Sequence, residues 1–129
     1  MDTDHAASMR ELAGRFFAAV TRGDIGAVRA IYAPDAVVWH AHTGAEQTVD
    51  DNLRTLEKVA KYVKDFRYED RHCQPTETGF IEQHTTKGIA SDGTPFEIPA
   101  CIVCTVVDGR IARLDEYFDS AAAASLLRR

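Results

Sequence analysis

His40-Ala41-His42 places two imidazoles two residues apart, and in an extended chain such positions share a face. Two imidazoles on one face shuttle protons or, with a third ligand, hold a metal. Only His84 or a carboxylate would supply that ligand, and the expectation is a site without metal or other cofactor. Packing is the alternative: His40 in the core, with His42 exposed in the following loop. His84 lies within Glu82-Gln83-His84-Thr85-Thr86-Lys87, a run polar on both parities, so one of its faces meets solvent, a partner or a wet cavity. On a cavity face His84 approaches His40 from a neighbouring strand; on the outer face it is an ordinary surface residue. Asp115-Glu116 must split across a sheet, and Leu114, Glu116 and Phe118 form the more apolar set, which points Glu116 inward. A desolvated carboxylate has a raised pKa and trades protons near neutrality, whereas on the outer face it would pair with Arg110 or Arg113. His40, His84 and Glu116 are the candidate catalytic residues.

The elements that must position them are legible from local signals. Ser8-Met9-Arg10-Glu11 has capping-box spacing ahead of Leu12, Phe16 and Val20, so a first helix should end near Arg22-Gly23. Asp24 then caps a second through Val28, Ile31 and Tyr32, which stops before Pro34. Ala36 to His40 reads as strand, Thr43-Gly44 as a turn, and Thr48 as the cap of a third helix whose apolar face is Val49, Leu53, Leu56 and Val63. A strand at Phe66 to Glu69 is broken by the segment Pro75 to Gly79. The runs from Phe80 to Ile89, Phe96 to Val107 and Arg110 to Phe118 are joined by Asp92-Gly93 and Asp108-Gly109 turns, so they should be consecutive antiparallel neighbours. A short terminal helix is expected over Ser120 to Leu127. Helices followed by such a sheet leave an apolar pocket under the helices. Phe16, Phe17, Tyr32, Trp39, Tyr62, Phe66 and Phe96 come from different segments and supply its walls or the core. Phe16, Tyr32, Trp39, His42 and Cys101 are the residues expected to touch a bound molecule.

A chain of 129 residues fits one domain, over 1–129, with a real core. Twenty acidic against fifteen basic residues, the latter unclustered, argue against a nucleic-acid partner. No apolar run approaches the roughly 18 residues a membrane span needs, and the acidic start, Met1-Asp2-Thr3-Asp4-His5, is unlike a secretion signal. A cytoplasmic protein without membrane contact is the expectation. Cys73, Cys101 and Cys104 are odd in number, and Cys101-Ile102-Val103-Cys104 lies in a strand where positions three apart face opposite ways, so it reads as structural and not redox-active.

The helix hairpin, the passage Tyr32 to His40 and the closing Val107-Asp108-Gly109-Arg110-Ile111-Ala112-Arg113-Leu114-Asp115-Glu116-Tyr117-Phe118-Asp119 resemble the SnoaL-like branch of the nuclear transport factor 2-like superfamily. The resemblance implies an α+β cone: a barrel-like, curved, mostly antiparallel sheet wrapped over three N-terminal helices, with a deep pocket and a homodimer through the outer sheet face. SnoaL-like polyketide cyclases carry an acid/base carboxylate on the last strand, which aligns with Glu116, a glutamate where the family has aspartate. The general-base aspartate of ketosteroid isomerases aligns with His40, their oxyanion tyrosine with Phe16, and their protonated aspartate with Val103, a departure from that steroid chemistry. The histidine pair is similar, in residue type alone, to scytalone dehydratase-type sites. The implied function is cofactor-independent acid/base catalysis of isomerase, cyclase or dehydratase type on a small hydrophobic cyclic or polyketide-like substrate. A noncatalytic ligand-binding or dimerisation module of the same fold stays open beside it.

Overall fold

The computed structural model describes residues 1–127, without the side chain of Ser125; Arg128 and Arg129, the end of the expected domain, lie outside the described residues. Helix α1, Thr3–Thr21, starts earlier than the capping box at Ser8 suggested. The Asp2 carboxylate accepts the His5 N–H at 2.7 Å and caps the helix there, so Ser8 lies within it. Helix α2, Ile25–Ile31, is capped by Asp24 as expected, and Tyr32 already belongs to strand β1, Tyr32–His40. The turn at Gly44 leads into a strand the sequence did not reveal, β2, Ala45–Gln47. Thr48 caps α3, Val49–Tyr62.

Strand β3, Lys64–Thr76, runs through Pro75 instead of breaking before it. It is an edge strand, so the missing N–H of Pro75 can fall on the open side. Strands β4, Gly79–Ile89, β5, Pro95–Val107, and β6, Arg110–Phe118, form the expected antiparallel succession. Asp108 and Gly109 both have positive φ, 52° and 76°, the geometry that lets a two-residue turn follow the sheet twist. The terminal helix is shorter than expected: α4, Ala124–Leu127, after a turn.

The six strands lie in the order β2-β1-β6-β5-β4-β3, and all neighbours are antiparallel except β1 and β6, which run parallel. Bulges interrupt β3 between Glu69 and His72 and β6 at Ala112, opposite Thr105 and Val106 of β5, and bulges bend strands. The result is an open, curved, mixed sheet with the helices on its concave side, the α+β cone expected from the sequence. Met9, Leu12, Phe16, Phe17 and Val20 of α1 are buried with Val28, Ile31, Leu53, Phe80, Ile102 and Leu114. Each such side chain contributes roughly 1.5–3 kcal/mol by leaving water. Among the described residues, no helix is long and apolar enough to cross a membrane.

Candidate active site

The parallel pairing of β1 with β6 sets His40 directly beside Glu116, although 76 residues separate them along the chain. Alternation then decides which neighbours join them. Val38 and Leu114 share their face, while Trp39 and Asp115, also register partners, take the other. A cavity of about 640 Å³ lies on the inner face, and its walls include Phe16, Tyr32, Tyr68, Ile102, His40 and Glu116. His42, Leu114 and Phe118 line it as well.

His40 is held at both ring nitrogens. Nδ1 lies 2.8 Å from Glu116 Oε1 and Nε2 2.9 Å from Gln47 Oε1. The hydrogen bond to Glu116 raises the His40 pKa above its ordinary value, against desolvation, which alone would lower it. Gln47 also accepts from Asn52 Nδ2 at 3.3 Å and donates to Thr55 Oγ1 at 3.4 Å, and Asn52 Oδ1 accepts the Tyr32 hydroxyl at 2.8 Å. Gln47 and Asn52 occupy the two positions flanking the start of α3 where an apolar pair often staples the chain entry. Here an amide pair does so and reaches the site. Burial, reinforced by Cys104, Glu116 and Tyr68, holds the Tyr32 phenol pKa well above 10, so it stays protonated.

Glu116 uses one oxygen on His40; its Oε2 accepts no hydrogen bond among the described residues. The Tyr68 hydroxyl is likewise without a hydrogen-bond partner among them, and Tyr68 lines the same cavity. Desolvation first, then the charges of Glu116 and Glu82, push its pKa far up, which makes it a lasting neutral donor. A free carboxylate oxygen and a free phenolic O–H thus face one apolar space.

Several expected site residues lie elsewhere. His84 does not approach His40, because β6 and β5 stand between their strands. Its Nδ1 lies 2.7 Å from Glu82 Oε2, and Arg71 holds both oxygens of Glu82 at 2.7 and 2.8 Å. This cluster is roofed by Phe17 of α1, and the His84 ring packs between Phe17 and Tyr68, with Nε2 buried and unpaired. Burial alone would raise the Glu82 pKa, but the bonds from Arg71 and His84 bring it below the ordinary value. Trp39 packs on Tyr117 at the outer face, and Cys101 is the register partner of the same Tyr117, so neither touches the cavity. Val103 pairs with Asp115 on that outer face too, so the alignment of an oxyanion-hole aspartate with it does not hold; Ile102 is the inward residue. Arg113 pairs with Asp115 and Glu46, leaving Glu116 to His40. Phe96 belongs to a separate apolar cluster with Ala90 and Ile98.

Gln47, Asn52 and Tyr68 were not foreseen. Tyr68 follows Phe66 at strand spacing and so shares its face, a usable signal. Asn52 falls three residues after Val49, on the buried stripe of α3. Gln47 carried none. Among the described residues, no group of three or more His, Cys, Asp or Glu side chains is arranged to hold a metal.

Residues 13–114 match the model of the SnoaL-like domain, most of the chain. The chain belongs to this family. No curated protein matches it. Solved structures similar to this SnoaL-like chain include a proposed polyketide cyclase from Xanthomonas campestris pv. campestris, 17% identical over 91% of this chain and 94% of that one, TM-score 0.81. A nuclear transport factor 2-like protein from Burkholderia xenovorans is 19% identical over 92% and 95%, TM-score 0.77. A hypothetical protein with a ketosteroid isomerase-like fold from Catenulispora acidiphila, in complex with trimethylamine, is 16% identical over 89% and 91%, TM-score 0.78. At such identities the likeness establishes the fold alone.

Proposed function

We propose that this SnoaL-like protein is a cofactor-independent acid/base enzyme of isomerase, cyclase or dehydratase type, acting on a small hydrophobic cyclic or polyketide-like carbonyl compound. The carrying observation is the Glu116–His40 pair, closed at Oε1 and open at Oε2, on the wall of an apolar cavity. Glu116 Oε2 takes the proton alpha to the carbonyl, and the electron pair of that C–H bond moves into an enolate. The Tyr68 O–H donates a hydrogen bond to the enolate oxygen without giving up its proton. Returning the proton to another carbon completes an isomerisation; attack of the enolate carbon on a second carbonyl of the same molecule closes a ring, and the alkoxide so formed takes the proton back from Glu116. A carboxylate facing an imidazolium has no net charge, which fits a neutral ligand. Phe16, Tyr32 and His42 would pack it. Solvent-deuterium exchange at the alpha carbon of hydrophobic cyclic ketones such as 2-tetralone, followed by proton NMR, tests this reading. The protein should catalyse the exchange and Glu116→Gln should lose it; equal exchange by both would end the proposal.

The engagement of both His40 nitrogens by protein groups favours a second reading, a noncatalytic ligand-binding module, since no imidazole nitrogen is left for substrate. Saturable ketone binding with no exchange in either protein would select it. We also propose a homodimer through the outer sheet face, where Val103 and Tyr117 are exposed; a monomer mass in light scattering would reject that.

A further inference from the structure

The amide chain behind His40 has a direction, and that direction determines a charge. Tyr32 is 2% exposed, and its hydroxyl has one hydrogen-bond partner among the described residues, Asn52 Oδ1. The phenolic proton must be donated there, because turning the Asn52 amide round would leave it buried and unpaired, a cost of about 1–3 kcal/mol. Asn52 therefore presents Nδ2 to Gln47, and Gln47 presents Oε1 in return. The other end of the Gln47 amide agrees in sense. Thr55 donates its hydroxyl proton to the Asp51 carbonyl, so Thr55 Oγ1 is an acceptor for Gln47 Nε2. That contact is exposed and 3.4 Å long, so the buried 2.8 Å bond from Tyr32 is the stronger hold on the oxygen that faces His40.

His40 faces an acceptor at each nitrogen, Gln47 Oε1 and Glu116 Oε1, and only the doubly protonated ring satisfies both. We infer that the Tyr32 hydroxyl, acting through Asn52 and Gln47, is a positioning group that holds His40 as an imidazolium and so fixes the carboxylate of Glu116 with its second oxygen free. The other titratable groups around the ring do not supply this control. His42 lies 5.9 Å away, ring centre to ring centre, while Lys58 of α3 and Tyr68 of β3 line the cavity without hydrogen-bonding to His40. The raised His40 pKa agrees with this polarity.

The inference concerns the resting protein, so it stands or falls without a substrate, separately from the proposed reaction. Imidazole nitrogen and carbon shifts of His40, followed by NMR from acid to alkaline pH in the full chain, read it directly. The wild type should keep both nitrogens protonated well above pH 6.5, and Tyr32→Phe should lower the midpoint by about one unit, a tenfold rise in the proton dissociation constant. Gln47→Glu offers oxygens that only accept, whichever way Asn52 turns, so Tyr32→Phe should lower the midpoint in the wild type and leave it unmoved in the Gln47→Glu background, a coupling that a merely structural role for Tyr32 would not show. An unchanged midpoint in Tyr32→Phe, an equal drop in the Gln47→Glu background, or a neutral His40 in the wild type at pH 6.5 would each overturn the inference. Should Tyr32→Phe not fold, Asn52→Leu is read in the same way.

Discussion

Two carboxylate–histidine pairs lie on the inner face of one sheet, and their distances are nearly the same: 2.8 Å for Glu116–His40 and 2.7 Å for Glu82–His84. Their surroundings separate them. Both Glu82 oxygens are taken by Arg71, α1 seals the pair, and the side chains of Glu82 and His84 are 0% exposed. Glu116 keeps an oxygen free in a cavity. A His–Glu contact is therefore no sign of chemistry in itself; the sign is an unclaimed lone pair with room before it. In the closed pair the carboxylate is fully engaged and sealed from solvent, while in the open pair one oxygen is left facing a cavity.

Removing one charged partner from each site separates the two pairs most widely. Glu116→Gln should reduce alpha-proton exchange by about 10²–10⁴-fold, the range for loss of a general base, and lower stability by less than about 1 kcal/mol, the ordinary worth of a part-exposed pair. Arg71→Ala should do the reverse. It leaves the Glu82 carboxylate buried without its main partner and should cost about 3 kcal/mol in denaturant unfolding, the low end for such a pair because Arg71 is one-third exposed. Exchange activity measured where the variant is still folded should stay near wild type.

The pairs should also answer pH with opposite sign. His40 has a raised pKa in the folded protein, so its contribution to stability is complete below about pH 6.5 and is lost as pH rises through the folded value. Glu82 has a lowered pKa, so its contribution is present above about pH 4.3 and is lost as pH falls through the folded value. Chemical denaturation of His40→Ala and Glu82→Gln against wild type across pH would show the first deficit shrinking towards alkali and the second shrinking towards acid. The smallest effect is expected at His84. His84→Leu gives up one bond to Glu82 but removes the unpaired buried Nε2, so stability should change by less than about 1 kcal/mol, and exchange should be retained.

The sequence carried the frame of this comparison well and its content unevenly. Asp-Gly turns and strand alternation delivered β4, β5, β6 and the inward direction of Glu116, because local turn chemistry and parity are read within a few residues. The neighbours of Glu116 depend instead on which strand closes the sheet. The parallel β1–β6 contact is set by the path of the whole chain, and nothing near His40 announces it. Residue type alone made His84 look like a partner for His40; Arg71, eleven residues before Glu82 on the neighbouring edge strand, was invisible as the group that claims that carboxylate. Strand β2 escaped notice because Ala45-Glu46-Gln47 has little strand propensity and forms only by pairing with β1. With it went Gln47, the link from His40 to α3.

The account rests on Glu116–His40 being the pair that meets a ligand and Glu82–His84 being the pair that does not. Histidine ring resonances recorded by NMR with and without saturating 2-tetralone test this directly. The His40 signals should shift and their titration midpoint move, while those of His84 stay in place; a response at His84 with His40 unchanged would contradict it.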